Sequence, residues 1–238
     1  GDEHLFQAIN EYATISDWLL ENFFANEQKR LSEFVVTNAS DVTYNGKSLP
    51  LDLIPSSPRL RKTERELIYE LTAKKYSMEA LQGQVGRRLR DDFNLLKSDY
   101  DVIICDCPPG ISVMTESVLA ASHLIIVPTI PDFMSTLGLD LFTGDIMQNL
   151  RDRDIESLPV VLATRYDDTP HQKVVLQAMR EAANSKEAEF EMFNTVIPLK
   201  SGFASNPIEL GPDPTLAAKW PGEALGIIDK LLKEVQER

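Results

Sequence analysis

Long apolar runs are missing from this 238-residue chain: nothing approaches the ~20 residues of a helical membrane span. No basic-then-apolar stretch opens it as a signal sequence would. Cysteine is scarce too. Cys105 and Cys107 are the two present, and positions two apart on a strand share a face but make poor disulfide partners. No second Cys/His pair completes a zinc site, so both read as small buried hydrophobes of a reducing, cytoplasmic protein. His4, His123 and His171 are too scattered for a metal set or a triad. Ser112 and Ser135 lack a nearby His–Asp relay, which removes serine-hydrolase chemistry. Basic residues are outnumbered by acidic ones, 24 to 37, and the net charge of −13 argues against a broad nucleic-acid surface. Phosphate contacts need only a local patch. The densest one is Arg87-Arg88-Leu89-Arg90, with Lys97, Arg59, Arg61 and Lys62 elsewhere, and a solvated helix face is the commoner origin of such a run.

What is present suffices for one sizeable core. Hydrophobic residues make up 43% of the chain, and no Gly/Ser- or Pro-rich linker divides it. Thr14 to Leu20 opens a helix with hydroxyl and acid caps, and a β pair spans Val35-Val36 to Ile54. Asn45-Gly46, between two strand-like runs, reads as a two-residue hairpin turn. Thr63-Glu64-Arg65-Glu66 has the form of a capping box opening a helix with Leu67, Ile68 and Leu71. Helices then follow near Met78–Leu96, Met114–Ala121, Ser135–Leu150 and Gln172–Ala183, with strands near Leu124–Pro128, Leu158–Thr164 and Phe193–Ile197. The helical spacing in Ala224–Val235 is that of a docking helix, without the bulky aromatics of a membrane-surface anchor. Apolar strands regularly separated by helices imply an α/β fold with a mostly parallel sheet covered by helices on both faces.

The most informative stretch is Asp99-Tyr100-Asp101-Val102-Ile103-Ile104-Cys105-Asp106-Cys107-Pro108-Pro109-Gly110. A continuous apolar run ends in a carboxylate, and two prolines then take the chain out of any sheet, because they fix φ and donate no N–H. Continuous apolarity predicts an internal strand with both faces covered. A carboxylate at a strand's carboxyl end sits where open α/β folds bind ligands. Phosphate-handling enzymes use such an acid to hold a magnesium ion or its water.

The residues that follow keep one spacing without a gap: Thr115, Leu119 to Pro128, Pro131, then Ser135-Thr136-Leu137-Gly138-Leu139. Together with Leu51-Asp52-Leu53-Ile54-Pro55-Ser56, Leu162-Ala163-Thr164-Arg165-Tyr166-Asp167 and Thr195-Val196-Ile197-Pro198, this resembles the ParA/MinD family of deviant Walker ATPases over nearly the whole chain. Ser117, His123, Leu199 and Ser205-Asn206 stand where the family pattern usually has Asn, Asp, Arg and Glu-Ala.

The resemblance implies a P-loop-type α/β fold and a single ParA-like domain over residues 1–238, N-terminally incomplete. It implies a partitioning ATPase that binds ATP and Mg2+, forms a homodimer, and engages a ParB-like or other adaptor protein and non-specific DNA without a membrane. A MinD-like placement factor and a catalytically silent scaffolding relative are the alternatives. Asp106 would hold the magnesium-bound water, while Thr164, Arg165, Pro198 and Leu199 would lie around the adenine. Asp167 and Asp168 are expected to start a turn or cap a helix.

The family's phosphate loop, KGGxGKT, and its DxDPQ segment occur nowhere in these residues and are expected upstream of Asp2, with Gly1 resembling a tag remnant. Gly46-Lys47-Ser48 is no substitute. Asp41 stands where the loop's first glycine belongs, and a strand-like run rather than a helix follows.

Overall fold

A computed structural model describes residues 7, 9–11, 13–25, 27–74, 76–148, 158–204 and 214–238. The chain falls into two compact units, Gly1–Ala121 and Ser122–Arg238. Each has its own core.

In the first unit, α1 (Ile15–Phe23) opens on a capping box in which Thr14 and Asp17 satisfy each other's backbone. β1 (Thr43–Tyr44) and β2 (Lys47–Ser48) form an antiparallel hairpin. Its turn residues Asn45 and Gly46 both have positive φ, 50° and 73°, as a primed two-residue turn requires. Gly46-Lys47-Ser48 is therefore turn and strand, with none of a phosphate loop's geometry. α2 runs from Leu60 to Ala73. The expected capping box at Thr63 is corrected: Thr63 already lies in the first turn, where its N–H bonds to the carbonyl of Arg59. α3 (Met78–Leu96) begins at Ser77, whose side chain accepts the Ala80 N–H, and α4 covers Val113–Ala121. Trp18, Leu19, Leu31, Leu67, Leu81, Val85, Leu89 and Val113 make the core of this unit.

In the second unit, β3 (Ile126–Thr129), β4 (Val160–Ala163) and β5 (Glu191–Met192) form a parallel sheet in the order β3-β4-β5. Ile126 pairs with Val160 and Thr129 with Ala163. Val160 to Ala163 are all buried, as a continuous apolar run in a central strand should be. Alternation sends their side chains to two clusters. Val161 packs with Leu139, Met179 and Phe190, from α5 (Phe133–Leu141), α6 (Pro170–Ala183) and the residue before β5. Val160 and Leu162 pack with Phe193 and with Leu231 and Val235 of the terminal helix. That helix, Ala224–Gln236, follows two short ones, α7 (Ser201–Ala204) and α8 (Leu216–Lys219), and is α9 here. Its apolar stripe is committed to the sheet. The single helix expected over Ser135–Leu150 is α5 followed by a π-helical segment, Phe142–Met147; positions 149 and 150 lie outside the described residues.

The largest departure concerns the run before Asp106. Val102 to Cys107 form no strand and have no ladder partner among the described residues. Val102 is 72% exposed and Ile104 87%. The expected internal strand is corrected: apolar, β-branched residues favour a strand only when a neighbouring strand and a covering layer are there to receive them. Among the described residues, the parallel sheet of this α/β structure is the three-stranded one of the second unit.

Candidate functional site

Asp106 sits at the end of this extended run, exposed, with Cys105 and Cys107 on either side. Beyond it Pro108 and Pro109 lead to Gly110, whose φ of 103° only glycine tolerates comfortably. Cys105 is solvent-accessible, yet desolvation around its sulfur pushes the thiol up to about 11, with Cys107 adding to the rise. Desolvation first and Asp106 second raise Cys107 as well. Both thiols are therefore protonated at neutral pH and poor nucleophiles.

The run is fastened at its entry. The Tyr100 hydroxyl donates to Asp52 Oδ2 at 2.7 Å, and the Asn38 N–H donates to Asp52 Oδ1 at 2.9 Å. These bonds hold the Asp52 carboxyl below its usual range and raise the Tyr100 phenol. Asp52 belongs to the Leu51–Ser56 segment, where a single antiparallel bridge, Val36 to Leu53, is formed.

Thr164, Arg165, Pro198 and Leu199 are brought together in the second unit. Thr164 directly follows β4, its N–H donating to the carbonyl of Thr129 at 2.9 Å. Tyr166 and Pro198 form a parallel bridge, with the Tyr166 N–H on Ile197 O and the Leu199 N–H on Tyr166 O at 2.9 Å. The segment 164–166 and the segment 197–199 thus run side by side past the end of the sheet. Arg165 is exposed with a φ of 52°, and its carbonyl accepts from Gln172 Nε2 at 3.5 Å. Asp168, also at positive φ, pairs with Lys173 Nζ at 3.0 Å and accepts from the Tyr166 hydroxyl at 2.9 Å. Lys173 foremost, then Tyr166, holds its carboxyl below the ordinary range. The helix cap expected of Asp167 or Asp168 is Thr169, which accepts the Gln172 N–H ahead of Pro170 at the first helical position.

Three carboxylate arrangements, two buried and one half-buried, escape a reading of motifs. Asp92, on the apolar stripe of α3 with Leu89 and Leu96, is 1% exposed. Its Oδ2 accepts from Trp18 Nε1 at 2.9 Å and from the Leu31 N–H at 3.1 Å, while Oδ1 takes Arg30 Nη1 at 3.2 Å. Arg88 lies 3.9 Å away and donates through Nη2 to the carbonyl of Lys29 at 2.6 Å. The basic run is thereby divided: Arg88 serves the core, and Arg87 and Arg90 face solvent. Glu64 accepts the Met114 N–H at 3.0 Å. Glu234 accepts the N–H groups of Asn194 and Thr195 at 2.7 and 2.8 Å. The signal in sequence is an acid at an i, i+3 or i, i+4 position on an otherwise apolar stripe.

No group of three potential ligands gathers among the described residues. A lone carboxylate suits Mg2+, which keeps several waters and takes its other ligands from phosphate. Asp106 thus fits the metal side of a magnesium nucleotide. The phosphate side does not fit: the sequence contains no glycine-rich loop to present oriented N–H groups. His123 and His171 are exposed and apart in sequence, and His4 lies outside the described residues. No helix among the described residues is long and apolar enough to cross a membrane.

Comparison with known proteins agrees with the motif spacing. A family model described as an AAA domain matches residues 11–158, well over half of the chain. An uncharacterized protein of Mycobacterium tuberculosis is 29% identical over 185 residues, 76% of this chain and 52% of that protein. Protein SopA of Escherichia coli K12 is 30% identical over 145 residues, 58% of this chain and 36% of SopA. The chromosome partitioning protein ParA of Myxococcus xanthus is 31% identical over 96 residues, 40% of this chain and 30% of that protein. The chain belongs to this AAA-domain family and is ParA-like. It spans about half the length, or less, of these relatives. The family match includes Asp106 and stops short of Thr164, Arg165, Pro198 and Leu199.

Proposed function

We propose that this chain is the post-phosphate-loop portion of a ParA-like ATPase acting in plasmid or chromosome partitioning. The observation that carries the reading is the gapless motif spacing from Asp99 to Leu139, which lies inside the family match. In this reading residues 1–238 form one ParA-like domain, N-terminally incomplete, with a mostly parallel sheet flanked by helices on both faces. Asp106 would hold a water of Mg2+, and the metal would supply the positive charge opposite the transferring phosphate. Thr164, Arg165, Pro198 and Leu199 border the adenine, because the segments that follow β4 and β5 run side by side there. ATP supplies the phosphoryl group and drives formation of a homodimer. The dimer engages non-specific DNA or a ParB-like adaptor in the cytoplasm, and hydrolysis releases it.

A second reading is favoured by one observation: the run carrying Asp106 stands exposed, outside any sheet. On that reading the chain is a catalytically silent scaffolding relative, or a MinD-like placement factor with a different partner. ATP turnover separates them. In a longer form carrying the family's phosphate loop, Asp106→Ala should reduce hydrolysis at least a hundredfold while leaving ATP binding within a few-fold. Turnover unaffected by Asp106→Ala would reject the assignment, and no turnover in the longer form would select the scaffold.

A further inference from the structure

We propose that Asp52 and Glu64 are positioning residues for Asp106, holding the two ends of an exposed run that has no strand partner among the described residues. This rests on the assignment of Asp106 given above. Between Tyr100 and Met114 the chain makes no ladder among the described residues, so its course is set by its ends. At the entry, the Tyr100 hydroxyl is bonded to Asp52 at 2.7 Å. At the exit, Glu64 Oε1 takes the Met114 N–H at 3.0 Å, across 50 residues of sequence.

The exit tether is the more telling. Glu64 is 8% exposed, and a buried carboxylate is costly unless its oxygens are bonded. α4 supplies the donor. Its first N–H groups have no intrahelical acceptor, and the helix dipole adds positive charge at that end. Ser112 caps the Thr115 N–H at 3.2 Å and accepts the first helical bond, from Glu116, through its carbonyl. The Met114 N–H is left to Glu64, which joins α2 to the start of α4. Between Asp106 and Ser112 stand Cys107, two prolines with fixed φ, Gly110 at positive φ with open space where a Cβ would be, and Ile111. This short link, restricted at its two prolines, passes the placement of the α4 start back to Asp106.

Two readouts test this on the chain itself, without nucleotide. The first is amide exchange at Met114. The second is the mobility of a nitroxide on Cys107 in a Cys105→Ser background, read by electron paramagnetic resonance. Glu64→Ala should speed Met114 exchange about tenfold, the scale of one net hydrogen bond, and narrow the nitroxide spectrum. Glu64→Gln keeps an acceptor oxygen and should restore both. Tyr100→Phe should narrow the spectrum without changing Met114. If Glu64→Ala does not fold, Glu64→Asp withdraws the acceptor by one methylene and should give the same changes. An unchanged nitroxide spectrum in the Glu64 and Tyr100 variants overturns the proposal. So does a loss in Glu64→Ala that is uniform over Gly1–Ala121, or that Gln does not restore. Neither readout involves ATP, so a failure here is distinct from failure of the Asp106 assignment, which is decided by turnover.

Discussion

Val102-Ile103-Ile104-Cys105 and Val160-Val161-Leu162-Ala163 are nearly interchangeable as sequences, yet the structure treats them oppositely. The second is the middle strand of a parallel sheet, paired on both sides and buried between two clusters. The first has no ladder and leaves Ile104 87% exposed. The difference is in the company each keeps. β4 has β3 and β5 to bond with and helices to cover it. The run before Asp106 has tethers at its ends and no flanking strand among the described residues. Propensity selects candidates for a strand, and neighbours decide which candidates become one.

The strongest way to separate the two units is to break the core of one. Asp92→Ala removes an acceptor shared by Trp18, Leu31 and Arg30, leaving buried donors and a cation unpaired. It should destabilise the first unit by about 2–5 kcal/mol, the cost of leaving two buried donors, the Trp18 indole N–H and the Leu31 N–H, without an acceptor. Chemical denaturation followed by Trp18 fluorescence, with Trp220→Phe to isolate the signal, checks this. Exchange protection of Val160–Ala163 should be unchanged.

The comparison itself is sharpened by trimming equivalent residues. Val161→Ala deletes two methyl groups from a fully buried site and should cost about 1–3 kcal/mol. Ile104→Ala deletes more carbon from an exposed site and should fall within about 0.5 kcal/mol of zero. Equal losses in the two melts would mean that the run before Asp106 is buried in solution.

Much of this architecture is legible in the sequence, and the failures have a common cause. Asn45-Gly46 fixed a hairpin by local chemistry, and the helix expected near Met78–Leu96 is α3 with those bounds. The strand Val160–Ala163 could be read from apolarity because its partners exist. The run before Asp106 could not, since its fate depends on residues distant in sequence. Thr63-Glu64-Arg65-Glu66 looked like a helix start because spacing alone cannot tell a cap from a first turn already begun at Leu60. Of the candidate site, the meeting of Thr164–Tyr166 with Ile197–Leu199 was legible, but the strand expected over Phe193–Ile197 is β5 at Glu191–Met192, and the later segment pairs through the single Tyr166–Pro198 bridge. The roles of Glu64 and Asp92 were not, because both depend on contacts between elements.

A smaller effect is expected at the thiols. The Cys105 pKa is raised, so the folded chain holds that proton to higher pH than the unfolded chain does. Its contribution to stability is present below the ordinary thiol pKa of about 9 and is lost as pH climbs through about 11. Alkylation of Cys105 by iodoacetamide, followed by mass spectrometry, should be slow at pH 8 and still rising between pH 10 and 11. A plateau reached by pH 9.5 would place the sulfur in bulk-like water.

The central claim is that Asp106 supplies only the metal side of a nucleotide site whose phosphate side this sequence does not contain. Calorimetric titration of the chain with ATP and Mg2+ tests it most directly. No saturable heat below millimolar nucleotide is expected, for the parent and for Asp106→Ala alike. A micromolar dissociation constant that Asp106→Ala weakens would contradict the account, since it would require a phosphate cradle built from residues other than a glycine-rich loop.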